Sequence, residues 1–413
     1  MNDPYTLHTL DNGLRVVIET MPDVRSAAAG FFVRAGARDE TPELAGVSHF
    51  LEHMMFKGTS QRGWREITID FDRMGSLYNA FTSEDRTVYY GWVRSADIGR
   101  QIELLADMMH SVLPGAEFDM ERNVVLEEIA MSKDHLEHVA FEFLQEKVYA
   151  GHPLAWPVLG YADTIRGLTR DQMWGYFQQR YAPDNMMFVV AGNVDSAKII
   201  GLVEKYCGAW RPSGIPTQRT VPTMNTGTDT LEVDRFNQQL VALTFPACSA
   251  ADDLAETAEA AATILGGENS RFFWNIIQAG VSPRAGVYHL DYTDCGAMIF
   301  YGLCQPAGAE KLRDAFRAEA KRICAERVQD REVERVKNRR RTSLAVEAEA
   351  PYHRLTQLMQ DMEHRGAPRT VEQMLAEVDA ITAEGIHAYF EKYPINTEGH
   401  LTSVGPRRWP EDA

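Results

Sequence analysis

The chain has 413 residues, 45% of them hydrophobic and 24% charged, a balance that excludes a disordered or fibrous architecture and supplies apolar material for more than one core. At roughly 150 residues per domain, this length predicts two to three domains. Forty-two Lys and Arg against 59 Asp and Glu leave a net charge of −17, which repels phosphate backbones and anionic lipid surfaces, so neither nucleic acid nor membrane is expected as a partner.

The opening residues Met1-Asn2-Asp3-Pro4-Tyr5 have neither a basic start nor an apolar run, and no stretch of about 18 uninterrupted apolar residues follows. The expectation is a cytoplasmic chain without a leader or membrane span. Leu7 to Leu10 and Leu14 to Glu19 flank Asp11-Asn12-Gly13, a hairpin pattern with an Asn-Gly turn, and Ala27 to Val33 follows as a third strand. The period turns helical over Glu43 to Phe56 and again over Ile98 to Leu113. Between them Tyr78 to Trp92, rich in Thr, Val, Tyr and Phe, reads as paired strands, and Met186 to Gly192 is a fully apolar strand.

Arg211 to Thr228 is rich in proline and glycine and poor in large apolar residues, which reads as an interdomain linker. Beyond it the order repeats: strand from Gln239 to Phe245, helix from Asp252 to Leu265, more strand from Ala285 to Leu303, then long helices. The expected organisation is therefore residues 1–210, a linker at 211–228 and a similar domain at 229–413. Five scattered cysteines without a CxxC pair predict reduced thiols, not a disulfide framework or a thiolate zinc site.

The most informative segment is Ser48-His49-Phe50-Leu51-Glu52-His53-Met54. On a helix His49 and His53 share a face, so two imidazoles can meet one ion while Glu52 leans toward the same centre. At about 100° per residue, Leu44, Val47, Leu51, Met54 and Met55 gather on the opposite side, leaving one face to pack and one to form a site. A catalytic zinc needs a third protein ligand and a free fourth position. In Glu121-Arg122-Asn123-Val124-Val125-Leu126-Glu127-Glu128, the two outer glutamates are seven apart and share a bearing. Glu128 is the candidate third ligand, Glu127 is expected at the solvent rim, and Glu121 is placed to hold a ligand His or the bound water. The same stretch also reads as a surface helix with an acidic first turn.

His49-Phe50-Leu51-Glu52-His53, followed by Glu128, resembles the inverted zinc motif of the pitrilysin-type metallopeptidases, or inverzincins. Leu10-Asp11-Asn12-Gly13-Leu14, His53-Met54-Met55-Phe56-Lys57-Gly58-Thr59, Asn79-Ala80-Phe81-Thr82-Ser83 and Val189-Val190-Ala191-Gly192-Asn193-Val194 resemble the branch that contains mitochondrial processing peptidase and its bacterial relatives. The resemblance is strongest over the first 210 residues and stays collinear to the end.

It implies an α+β fold of two homologous domains, each a mainly antiparallel sheet flanked by helices. It also implies one Zn2+ per active subunit on His49, His53 and Glu128, with Glu52 as general base supported by Glu121. The expected activity is endopeptidase cleavage of oligopeptides or unfolded segments. The expected assembly is a homodimer, or a heterodimer with a related chain, in a bacterial cytoplasm. Asn79 and Ala80 fall where relatives carry an edge strand to which an extended peptide adds.

One stretch departs from the pattern. Relatives carry an Arg and a Tyr seven apart in the second domain, whereas Ile276 to Arg284 has Ile277 and Pro283 near those places. Arg284 and Tyr288 are the candidate substitutes. A different class of answer is a non-catalytic assembly subunit, against which the intact His49, Glu52, His53 and Glu128 argue. His135-Leu136-Glu137-His138 reads as a solvated helix start, and Arg331 to Arg341 as the exposed face of an amphipathic helix.

Overall fold

The computed structural model describes residues 4–410; residues 1–3, the start of the segment read for a leader, lie outside them. The chain divides into two compact units. The first comprises Met1–Ala130, Trp156–Thr220 and Ala345–Thr370; the second comprises Met131–Ala155, Val221–Leu344 and Val371–Ala413.

The first unit is built on a six-stranded sheet of β1 (Tyr5–Thr9), β2 (Arg15–Thr20), β3 (Ser26–Val33), β4 (Leu77–Thr82), β5 (Thr87–Arg94) and β6 (Met186–Gly192), in the order β1-β2-β6-β3-β5-β4. Only β2 and β6 run parallel. The Asn-Gly turn forms as its residues demand: Gly13 takes φ of 90°, and the Asn12 side chain accepts from Leu14 N at 3.1 Å. All seven residues of β6 are buried, which accounts for its unbroken apolar run.

One face of this sheet carries α1 (Val47–Met55), α2 (Trp64–Met74), α3 (Ile98–Met108) and part of α4 (Gly115–Ser132) around a core that includes Val16, Ile18 and Phe31. The other face is covered by the helix Pro351–His364, whose Leu355, Leu358, Met359 and Met362 pack on Val17, Phe32, Val88, Met187 and Val189. Arg354 of that helix meets Glu19 at 2.9 Å, both buried.

In the second unit the sheet is ordered β7-β11-β8-β10-β9, from β7 (Gly227–Glu232), β8 (Gln239–Ala247), β9 (Arg284–Asp291), β10 (Gly296–Cys304) and β11 (His400–Gly405). Here β7 and β11 run parallel and the other pairs antiparallel, repeating the order and sense of β2-β6-β3-β5-β4. The expected α+β fold of two similar, mainly antiparallel sheets is thus present, and duplication is visible in topology where residues give no repeat.

The units interleave in sequence. The helix Pro351–His364 belongs to the first and α5 (Leu136–Val148) to the second, because each sheet has two apolar faces and needs a helix layer on both. Residues 211–226 carry no regular element. The part up to Thr220 belongs to the first unit, where Arg219 binds Asp39 at 2.7 Å, and the part from Val221 belongs to the second, where Asn225 N donates to Val148 O at 2.8 Å. The stretch Ala285 to Leu303 is a hairpin, β9 and β10. All five cysteines are free thiols. Among the described residues no helix is long and apolar enough to cross a membrane.

Candidate metal centre

Helix α1 begins where Gly46 adopts φ of 93°, in a place where a Cβ would lie 2.7 Å from Leu159 O, so only glycine fits. Its first turn is held by Glu40, which accepts from Gly46 N at 2.6 Å and Ser48 N at 2.7 Å. Burial drives the Glu40 carboxyl up to about 8 although both amides oppose the shift. Val47, Phe50, Leu51, Met54 and Met55 are buried, and His49, Glu52 and His53 line the opposite, half-buried face. Phe50 stacks on Phe118 of α4 at 4.7 Å, which fixes one helix against the other.

That contact brings the donors together. Glu128 Oε2 lies 3.8 Å from His49 Nε2 and 3.5 Å from His53 Nε2, and the three donor atoms fall within 4.8 Å of one another. Zinc bonds of about 2.0–2.2 Å set neighbouring donors of a tetrahedral ion about 3.4 Å apart, so the spacing fits one Zn2+ with an open fourth position. Burial, then His53, lowers the His49 pKa to about 3, which keeps this ring neutral and able to ligate.

His53 Nδ1 faces Glu121 Oε1 at 2.9 Å, and Lys57 Nζ meets Glu121 Oε2 at 2.6 Å. Burial would raise the Glu121 carboxyl, but His53 and Lys57 outweigh it and hold it below the usual range. With its Nδ1–H donated to this carboxylate, His53 turns the Nε2 lone pair toward Glu128 and the ion site. Burial also raises the Glu52 pKa, opposed by a 2.7 Å hydrogen bond from Thr82 Oγ1. Glu127 is exposed, as its bearing on α4 predicts.

Asn79 and Ala80 sit on β4, the last strand of the sheet, paired on one side only with β5. Asn79 is exposed with Leu77 and Phe81, while Ala80 and Thr82 face inward. Arg284 and Tyr288 lie on β9, the corresponding edge strand of the second unit. There Arg284 pairs with Glu137 at 2.5 Å, and the Tyr288 ring lies 5.8 Å from Phe141 and 6.0 Å from Tyr301. The basic run is neutralised locally: Arg339 meets Glu268, Arg340 meets Glu256 and Arg341 meets Asp379. His138 pairs with Glu142 one turn on.

Residues 15–161 match the family described as Insulinase (Peptidase family M16), and residues 167–340 match its Peptidase M16 inactive domain. An uncharacterized zinc protease of Bacillus subtilis is 31% identical over 92% of this chain and 93% of its own length. The chain belongs to peptidase family M16. An uncharacterized zinc protease of Streptomyces coelicolor is 30% identical to this M16 chain, covering 96% of it and 89% of the relative. Among solved structures, a protease from Helicobacter pylori superposes with a TM-score of 0.91 at 21% identity, covering 97% of this chain and 99% of that one. A chain of complex III2 from Candida albicans has the same fold, with a TM-score of 0.84 at 16% identity over 97% and 96% of the two chains. At family level the M16 assignment and the zinc-protease relatives make this a metallopeptidase-type chain.

The sequence pattern gives no role to Lys57 and Thr82, which touch this cluster, or to Glu40, which holds the start of α1. Lys57 and Thr82 stand inside segments that carry the family resemblance, which was their only signal.

Proposed function

We propose that this chain is a zinc-dependent endopeptidase acting on oligopeptides or unfolded protein segments, with His49, His53 and Glu128 as metal ligands and Glu52 as general base. The observation that carries the reading is the convergence of two imidazoles and one carboxylate within 4.8 Å, beside a second carboxylate whose pKa is raised by burial. Bound Zn2+ supplies Lewis acidity that makes water nucleophilic near neutral pH. Glu52 takes the proton of the attacking water on its carboxylate and returns it to the leaving amine nitrogen. Glu128 contributes one negative charge to the donor set, and Glu121 holds His53 in the ligating tautomer.

The substrate adds to β4 as a further strand, with backbone groups of Asn79 and Ala80 fixing its register, so side-chain preference is loose. Arg284 and Tyr288 are proposed to help hold the substrate backbone; the exposed Arg284–Glu137 pair is weak enough to exchange partners. The working unit in this reading is a homodimer or a heterodimer with a related chain, in a bacterial cytoplasm. The match of residues 167–340 to the Peptidase M16 inactive domain favours a non-catalytic assembly subunit as the second reading, and likeness to the complex III2 chain adds to it at the level of fold alone.

The test is chelation and reconstitution with a quenched unstructured peptide. Hydrolysis is expected to vanish on zinc removal and to return with one equivalent of Zn2+. Stoichiometric zinc without cleavage, even with related chains added, favours the assembly reading.

A further inference from the structure

Arg219 lies in a stretch without regular elements, two residues before the second unit begins at Val221. Its side chain is nonetheless only 6% exposed, and it belongs to a buried run of four charges in the order Arg38, Asp85, Arg219, Asp39. Arg219 Nε and Nη2 hold the two oxygens of Asp39 at 3.0 and 2.7 Å. Nη2 also donates to Asp85 O, and Nη1 lies 3.5 Å from Asp85 Oδ1. Arg38 binds the same Asp85 oxygen at 2.9 Å and donates to Thr220 O at 3.0 Å.

Two chain segments leave this cluster, and both lead to Glu52. One runs from Asp39 to Glu40, which holds Gly46 N and Ser48 N at the start of α1; Glu52 follows Ser48 by one turn. The other runs from Asp85 back through the β4–β5 turn, closed by Ser83 N donating to Arg86 O at 2.8 Å, to Thr82, whose hydroxyl donates to Glu52 at 2.7 Å. The segments also touch each other: Ala37 N donates to Ser83 O at 3.1 Å and Arg38 N to Glu84 O at 3.0 Å. Gly36 lies so near that a Cβ there would stand 2.3 Å from Ser83 O. Of the four charges only Arg219 comes from outside these two segments, and it grips both.

Buried ion pairs gain little stability over an apolar cluster of the same volume, because desolvation offsets their attraction. What a planar, bidentate guanidinium supplies is fixed geometry. We propose that Arg219 is a positioning residue for the reaction: by clamping Asp39 and Asp85 it sets α1 against the end of β4, and so holds Glu52 in register with Thr82. This inference rests on the reading of Glu52 as general base.

The test compares Arg219→Lys, Thr82→Val and the double variant with the wild type, all zinc-loaded, at a temperature well below each melting point. Lysine keeps the buried charge, and with it the fold, but lacks the fork. Arg219→Lys is expected to lower kcat about tenfold, with KM and zinc affinity within about threefold of wild type. In the Thr82→Val background the same substitution is expected to cost less than about twofold, since both act through one contact. Hydrogen exchange, which needs no activity, is expected to quicken several-fold at the Ala37, Arg38 and Ser83 amides and to stay unchanged in β6. A merely structural arginine lowers the melting temperature and leaves kcat intact, which overturns the proposal. So do losses that multiply in the double variant. A wild type that holds zinc but cleaves nothing sinks the peptidase reading instead, and unchanged exchange at the three amides overturns the clamp whether or not peptide is cleaved.

Discussion

His53 Nδ1 and Glu121 Oε1 lie 2.9 Å apart, and the far oxygen of the same carboxylate is held by Lys57 at 2.6 Å. A three-residue relay therefore runs from an ammonium through a carboxylate to the imidazole proposed to bind zinc. Partners of this kind fix ring orientation and basicity, and losing one typically weakens metal affinity about 10- to 100-fold. Glu121→Gln is expected to fall in that range and Lys57→Met near its lower end, with folding intact. Competition with a zinc chelator measures this directly; unchanged affinity in both variants removes the relay from the account.

Thr82 acts on the proposed base. Its hydrogen bond to Glu52 opposes the effect of burial, so Thr82→Val is expected to raise the Glu52 pKa further. The ionised base is then available only at higher pH, which moves the acid limb of the kcat/KM profile upward. Activity falls more at pH about 6 than at pH about 8. A uniform loss at all pH values points to displacement of β4 instead.

Glu40 predicts a stability effect distant from chemistry. Its folded pKa of about 8 exceeds the ordinary value of 4.5, so folding takes up a proton between those values and stability falls as pH rises from about 4.5 to 8. Urea denaturation across that window is expected to give a steeper decline for the wild type than for Glu40→Gln. Equal slopes mean that the two amide donors hold Glu40 ionised.

The buried Glu19–Arg354 pair joins β2 to the helix Pro351–His364. Glu19→Gln leaves a buried guanidinium without its counter-charge, with an expected loss of about 3 kcal/mol of stability. The urea midpoint reads it, and a shift below a few tenths of a molar shows that solvent reaches the pair.

How much was legible in the sequence follows from how local each feature is. His49, Glu52 and His53 share one helix, and Glu128 shares a bearing with Glu121 on another, so helical period groups them, while the His-x-x-Glu-His pattern and the family resemblance single them out. Lys57 and Thr82 meet the site through tertiary packing, Lys57 reaching Glu121 on α4 and Thr82 reaching Glu52 because β4 lies against α1, while Glu40 holds the start of α1 through the turn at Gly46. Alternation and turns mark the strands of the first sheet and three of the second, but not the strand order, nor β11, nor β7, whose first two residues fall in the stretch read as a linker. The placement of the helix Pro351–His364 on the first sheet was not readable either, since Arg354 and Glu19 are 335 residues apart and amphipathicity does not name a partner face. Arg284 and Tyr288 carry no motif of their own in the sequence, only an offset from the family's Arg and Tyr positions, and on β9 they neighbour Glu137 and Phe141.

The most direct measurement is zinc content and hydrolysis of a quenched unstructured peptide on the same preparation of Glu52→Gln. The account predicts one zinc per chain, as in the wild type, with kcat reduced by about 10²–10⁴. Hydrolysis within a few-fold of wild type at full zinc occupancy contradicts it.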